Sequence, residues 1–164
     1  MQYRLGRKED LDEIVCLVRK AIQHMESQGI HQWDELYPAR EDFLHDIEKN
    51  TLYVVLENDR IIAVYVINQE CDEEYHQCRW DNPDDSAIII HRLCVSPDYQ
   101  NKGIGSRILL HIEEQARSMG YLSVRLDVFS ENPYAQRLYE KNGYEKRGIA
   151  DWRKGRFFLL EKTL

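Results

Sequence analysis

The run Gln100-Asn101-Lys102-Gly103-Ile104-Gly105 sets two glycines between a strand candidate and a helix candidate, and this junction restricts the fold more than any other feature. Upstream, Ile88-Ile89-Ile90-His91-Arg92-Leu93-Cys94-Val95 is rich in β-branched residues and is closed by the turn signal Ser96-Pro97-Asp98. Downstream, Ile104, Ile108, Ile112 and Ala116 recur at helical spacing as far as Met119, with Gly120 as the stop. Glycines at a helix start let backbone N–H groups approach a ligand without Cβ interference. Those amides and the positive end of the helix dipole favour an anion, most often phosphate. Strand, glycine loop and helix in this order call for a domain that holds a phosphorylated ligand.

The rest of the chain supplies such a domain. Residues 1–5 read as a short first strand. Asp10 and Glu13 match a capping box, and Leu11, Ile14, Val15, Val18, Ala21, Ile22 and Met25 form an amphipathic helical stripe ending near Gly29. A loop with Trp33, Tyr37 and Pro38 leads to a shorter helix around 41–49. Apolar runs at 51–56 and 60–68 flank Glu57-Asn58-Asp59 as a hairpin, and the polar, acidic residues 69–86 read as a loop or a frayed strand pair. Leu122, Val124, Leu126 and Val128 alternate with Ser123, Arg125 and Asp127 as in a strand. Asn132-Pro133 opens a helix carrying Ala135, Leu138 and Tyr139 that stops at Gly143, and two more strands are expected near 144–149 and 156–161. With no repeat or linker, the 164 residues fit one α/β domain, 1–164, with a mixed sheet.

Composition narrows the partners. A net charge of −7 without any basic tract argues against nucleic acid and suits cationic small substrates. Nothing resembles a signal peptide or a span of about 20 apolar residues, so no membrane partner is expected and the cytoplasm is the expected location. Cys16 falls on the helical stripe and Cys94 inside the strand, as small core residues. Cys71 and Cys78 flank His76, but there is no C-x-x-C pair and no second ligand pair, so no metal is expected.

Three phosphate ligands compete for the loop. A nucleoside-triphosphate loop requires G-x-x-x-x-G-K-[ST], which the sequence lacks. A dinucleotide fold finds Asp127 at the offset of a ribose-binding acid, yet Ile108 stands where the third small residue belongs and the loop comes late in the chain. The third reading uses both Gln100-x-x-Gly103-x-Gly105 and Asn132-x-x-Ala135-x-x-x-Tyr139-x-x-x-Gly143-Tyr144. In this combination the stretch from about His91 to Gly148 resembles the GCN5-related N-acetyltransferase superfamily, whose acyl-coenzyme-A signature is the first motif and whose second motif is the other. The resemblance implies an α+β fold with a mixed, mostly antiparallel central sheet flanked by helices. It also implies acetyl-CoA as cosubstrate and acetyl transfer to the amine of a small molecule or peptide. By the same resemblance Leu93, Cys94 and Val95 lie beside the pantetheine arm, with backbone hydrogen bonds from Leu93 and Val95. Gln100, Asn101, Lys102, Gly103, Ile104, Gly105 and Ser106 surround the pyrophosphate, and Asn132 and Ala135 touch the arm further along.

Acetyl transfer from a thioester sets further demands. An alkyl ammonium with a pKa of about 10.4 is only about one part in a thousand neutral at pH 7, so it must lose a proton before attack. The tetrahedral intermediate needs an oxyanion donor, for which a strand-end N–H near Leu93 or Val95 is suited, and the leaving thiolate benefits from an acid. Tyr139 occupies the tyrosine of the second motif, which in the family commonly protonates the sulfur; the alternative is an aromatic half-buried on an amphipathic helix. His91 is the candidate base, two residues before Leu93 and thus on the same strand face, and arylalkylamine members of the family look similar here. A structural histidine is its plain alternative. Glu73, with Asp72 and Glu74, is a second source of a carboxylate to bind or deprotonate the amine, the plain alternative for each being a solvated loop. Trp33 and Tyr37 lie where family members build the acceptor pocket, or else close the helix layer as core aromatics. A non-catalytic acyl-CoA sensor or interaction module on the same scaffold is the rival function, and exposed edge strands near the C-terminus suit a homodimer.

Overall fold

The computed structural model describes every residue from Met1 to Leu164. The helices are α1 (Leu11–Ser27), α2 (Arg40–Glu48), α3 (Ile104–Ser118) and α4 (Pro133–Lys141). The strands are β1 (Gln2–Leu5), β2 (Leu52–Glu57), β3 (Arg60–Asn68), β4 (Ala87–Val95), β5 (Ser123–Phe129), β6 (Glu145–Trp152) and β7 (Gly155–Thr163). The strand order is β1-β2-β3-β4-β5-β7-β6. Pairing is parallel between β4 and β5 and antiparallel for β1–β2, β2–β3, β5–β7 and β6–β7, which gives the mixed, mostly antiparallel sheet implied by the resemblance. The residues group into two compact units, Met1–Ile67 with His91–Ile104, and Asn68–Ile90 with Gly105–Leu164.

In the first unit, Leu11, Ile14, Leu17, Val18 and Ala21 of α1 and Phe43 and Ile47 of α2 share one core with Leu52, Val54, Ile61, Val64 and Val66 of the β2–β3 hairpin. Asn58 and Asp59 close the hairpin with φ of 50° and 62°, two consecutive left-handed residues of the types that tolerate that region. The expected capping box does not form. A 3₁₀ turn, Lys8–Asp10, precedes α1, so Asp10 is already helical (φ −80°, ψ −14°) and the extended residue is Arg7. The Asp10 carboxylate accepts from the Arg7 N–H at 2.7 Å and from Arg4 at 2.7 and 2.9 Å, while Glu13 accepts the Ile61 N–H at 2.9 Å. Cys16 is exposed rather than part of the core, because the buried stripe passes through Leu17 and Val18 instead.

In the second unit, β5 pairs with β7 along its whole length, from Ser123↔Thr163 to Phe129↔Phe157. The parallel ladder with β4 covers Ala87↔Ser123, Ile88↔Val124 and Ile89↔Arg125. The expected alternation of β5 is not what burial shows: Leu122 is exposed, outside the strand, whereas Ser123 and Arg125 are fully buried. The cause is the connector between β3 and β4. It forms two 3₁₀ turns, Glu73–Gln77 and Asp84–Ser86, in place of a strand pair. The Arg125 guanidinium holds it, bonding Glu161 at 3.0 Å, Asp84 at 2.7 Å and the Asn82 carbonyl, under the Trp80 ring at 4.3 Å. Glu161 also accepts from the Asp81 N–H at 2.7 Å and from Ser123 Oγ at 3.0 Å. A polar row that alternation assigns to solvent is therefore the seat of a covering segment. On α3, buried Glu113 is satisfied by Lys162 Nζ at 2.8 Å and the Tyr144 hydroxyl at 3.2 Å. No helix is long and apolar enough to cross a membrane.

Candidate active site

The glycine loop is shaped by contacts between close neighbours in sequence. Past β4, the turn Pro97–Tyr99 opens with proline and is closed by the Tyr99 N–H on the Ser96 carbonyl at 2.9 Å. Gln100 Nε2 donates to the Val95 carbonyl at 3.1 Å, and Lys102 Nζ donates to the Asp98 carbonyl at 3.0 Å while lying 5.3 Å from the Tyr99 ring centroid. Asn101 and Gly103 are left-handed, with φ of 60° and 73°. A Cβ on Gly103 would meet open space, so glycine answers the backbone conformation there. Gly105 has another reason: its Cβ would stand 3.0 and 3.2 Å from the methyl groups of Leu138, so glycine lets α3 and α4 close on each other. One residue on, Ser106 Oγ accepts from Asn142 Nδ2 at 3.0 Å.

With the Gln100 amide turned onto Val95, the groups here suited to an anion are main-chain amides and the Ser106 hydroxyl, which accepts from Asn142 and still has its proton to donate. Left-handed residues stand on either side of Lys102, a backbone pattern suited to converging N–H groups, and the first amides of α3 lack intrahelical acceptors. Such a loop fits a diphosphate, and the exposed Lys102 adds positive charge beside it. In the first unit, a cavity of about 360 Å³ is lined by Glu13, Cys16 and Lys20 of α1, by Ile61, and by Tyr99 and Lys102; of the expected site residues only Lys102 borders it.

On β4, His91 and Leu93 are half-buried, but Arg92 between them is left-handed with φ 51°. The expectation that His91 and Leu93 share a face rested on unbroken alternation, and a left-handed residue does not carry a two-residue period across itself. A non-glycine residue holds that conformation only when its surroundings fix it. Here Arg92 forks onto buried Asp46 of α2, Nε to Oδ2 at 2.8 Å and Nη2 to Oδ1 at 2.6 Å, and its Nη1 donates to the Tyr37 hydroxyl at 2.9 Å. Tyr37 is thereby tied to β4 while its side chain remains exposed, and Trp33 packs against the first unit's core. Cys94 is buried, and burial pushes its thiol up to about 12, far from a reactive thiolate.

In the second unit, Asn132 caps α4, its Oδ1 accepting the Ala135 N–H at 3.1 Å, with Pro133 at the first helical position. One turn beyond Ala135, Tyr139 is buried edge-on to Tyr144, with ring centroids 5.9 Å apart. Burial raises its phenol pKa and the negative charge of Asp127 adds to the rise, so the hydroxyl stays protonated through the neutral range. Glu73 is exposed on its 3₁₀ turn. Cys71 Sγ lies 3.7 Å from His76 Nε2, and no group of three or more metal-ligating side chains is assembled.

The structure also joins two residues that the sequence does not bring together, Asp127 and Tyr75. Asp127 is the one half-buried residue of the otherwise buried β5, and its Oδ2 accepts from the Tyr75 hydroxyl at 2.8 Å. Asp127 carried a signal, a polar residue one strand before the second motif, but it read as a solvent-facing position or a ribose ligand. Tyr75 sits in a polar segment far from Asp127 in sequence, where no local pattern announces it.

The model of the acetyltransferase (GNAT) family matches residues 18–144. The S-(2-succino)cysteine N-acetyltransferase of Bacillus subtilis (strain 168) is 26% identical to this chain, the match covering 98% of this chain and 94% of that one. Among solved structures, a GNAT family acetyltransferase from Streptococcus agalactiae 2603 superposes with a TM-score of 0.88 at 22% identity, covering 99% and 95% of the two chains. The PaiA N-acetyltransferase from Thermoplasma acidophilum, solved in complex with coenzyme A, superposes with a TM-score of 0.75 at 20% identity, covering 99% and 98%. At these identities the two structures establish a shared fold.

Proposed function

Since the chain belongs to the acetyltransferase (GNAT) family and is thereby an N-acetyltransferase, we propose that it moves the acetyl group of acetyl-CoA to the amine of a small molecule or peptide by direct attack on the thioester. One observation carries this reading. The anion-binding start of α3 and the helix that bears Tyr139 are locked together, Gly105 against Leu138 and Ser106 to Asn142.

In this reading the amides of Gln100 to Ser106, with Lys102, hold the diphosphate, the backbone of Leu93, Cys94 and Val95 pairs with the pantetheine arm, and Asn132 and Ala135 line it further along. The amine nitrogen attacks the thioester carbonyl carbon. As the C–N bond forms and the C–S bond breaks, the sulfur takes a proton from Tyr139 and the amine gives one to a base. A phenol is protonated at neutral pH, and burial with the nearby Asp127 charge keeps the Tyr139 hydroxyl in that form, so the proton is present when the sulfur leaves. His91 is one candidate base. Asp127 is a second, favoured by the Tyr75 hydrogen bond and by its charge beside Tyr139, as an anion that draws the ammonium and accepts its proton.

The relative that acts on S-(2-succino)cysteine makes the α-amine of an S-substituted cysteine the first acceptor class to assay. Four free cysteines are in keeping with a reducing compartment, and the cytoplasm belongs to this reading. So does a homodimer through the edge strand β6, which exposes Ile149; light scattering would test it. The function itself is tested by thiol release from acetyl-CoA across a panel of amines. Acceptor-dependent release is the expected result, whereas tight acetyl-CoA binding without any release would favour a sensor and overturn the proposal.

A further inference from the structure

The connector between β3 and β4 contributes one deeply buried phenol to Asp127. Tyr75 is 2% exposed, and burial together with the Asp127 charge raises its pKa well above that of a free tyrosine. Its backbone is fixed on both sides: the N–H donates to the Asp72 carbonyl at 3.1 Å, and its own carbonyl accepts Trp80 Nε1 at 2.7 Å. The ring lies 5.4 Å from that of Trp80, which in turn lies 4.3 Å from the Arg125 guanidinium. A chain of contacts thus runs from the β5–β7 pair through Arg125 and Trp80 to one hydroxyl, and that hydroxyl meets a carboxylate on β5.

We propose that Tyr75 is a positioning residue for acetyl transfer, acting through Asp127. Its hydroxyl engages one carboxylate oxygen, which fixes the orientation of the group and favours its ionised form. The ionised carboxylate then serves the acceptor ammonium, and its charge adds to the effect of burial on Tyr139. The inference rests on the reading of Asp127 as an acceptor-side group. Within this unit the Asp127 charge acts on Tyr75 of the connector and on Tyr139 of α4, and its cross-strand neighbour on β7 is Leu159. From the connector itself, Cys71 and Asp72 act on Tyr75.

The Tyr75→Phe variant keeps the ring and removes the donor. With less stabilisation of the charged form, the Asp127 carboxyl should take up its proton at a pH higher by about one unit, read by carbon-13 NMR titration of the free protein. The acid limb of kcat/KM with S-(2-succino)cysteine as acceptor should move up with it, and kcat should fall about tenfold while acetyl-CoA affinity holds. Incorporation of 3-fluorotyrosine at position 75, which strengthens the donor at almost constant volume, should move both the carboxyl titration and the acid limb to lower pH. It answers the question even if Tyr75→Phe folds poorly. Because Tyr75 acts through Asp127, the double variant Tyr75→Phe, Asp127→Asn should be no slower than Asp127→Asn alone. An acid limb that stays in place while the carboxyl titration moves overturns the role of Tyr75. Full activity in Asp127→Asn overturns instead the reading of Asp127 on which the inference rests.

Discussion

The glycine loop and the β3–β4 connector are held in opposite ways. The loop is turned by near neighbours, Gln100 onto Val95, Lys102 onto Asp98 and Tyr99 onto Ser96, with left-handed backbone at Asn101 and Gly103. The connector is turned by residues far along the chain: Arg125 on Asp84, Glu161 on Asp81, Asp127 on Tyr75. Locally determined structure can be altered at one place and fail only in what that place does. Structure held from a distance fails together, because its anchors sit in the core.

The largest expected effect tests the distant kind. Arg125→Ala leaves the buried Glu161 carboxylate without its cationic partner and frees Trp80 and Asp84, so unfolding free energy should drop by about 3–5 kcal/mol. Urea denaturation measures it, and a loss under about 1 kcal/mol would mean the connector does not depend on this anchor. On the side of the motifs, Tyr139→Phe should lower kcat by about a hundredfold with acetyl-CoA affinity and melting temperature nearly unchanged, the ring contact with Tyr144 being kept. Equal turnover would remove Tyr139 as the acid.

Between the two glycines of the loop the contrast sharpens further. Gly103→Ala meets no atom but forces a Cβ into left-handed backbone, about 1–2 kcal/mol, and should weaken acetyl-CoA binding about tenfold by tilting the amides. Gly105→Ala is free of that backbone strain and crowds Leu138 instead, so it should disturb the α3–α4 contact and turnover more than binding. Calorimetric titration with acetyl-CoA alongside steady-state rates separates the two. The same loss in both variants would show that the second glycine serves the ligand directly.

The same division explains how much was legible in the sequence. Strand, loop and α3 follow from β-branched runs, proline, glycine and a helical period, and the Asn132 cap of α4 follows from Asn-Pro; each signal lies within a few residues of what it specifies. The motif residues came with them. The connector did not, because Ser123, Arg125 and Asp127 look like the wet side of a half-exposed strand unless the segment that covers them is already known. Tyr75 meets Asp127 only through that cover. The Asp10–Glu13 box failed for a related reason: Glu13 has a distant partner, the Ile61 N–H, and Asp10 is drawn back to Arg4 and Arg7. Nor does the sequence show that Arg92 breaks the pleat of β4, since its left-handed backbone is held by Asp46 of α2, far away in the sequence.

The smallest expected effect compares one carboxylate of each kind. The Arg4 hydrogen bond holds the Asp10 carboxyl below its usual pKa, and the Arg125 hydrogen bond does the same for Asp84. A depressed folded pKa stabilises the protein above the unfolded value of about 3.9 and ceases to do so as pH falls through the folded value. Asp10→Asn and Asp84→Asn should therefore each lower the melting temperature at pH 7, and the difference from wild type should close below about pH 4. For Asp84 the drop should be only about 1–2 °C and should shrink in high salt, since its side chain is 64% exposed and well screened. Asp10, at 12% exposed, should keep more of its effect in salt. If Asp84→Asn proved the costlier of the two, the connector would hang on its rim as much as on Arg125, and the distinction between a core anchor and its exposed partner would have to be given up.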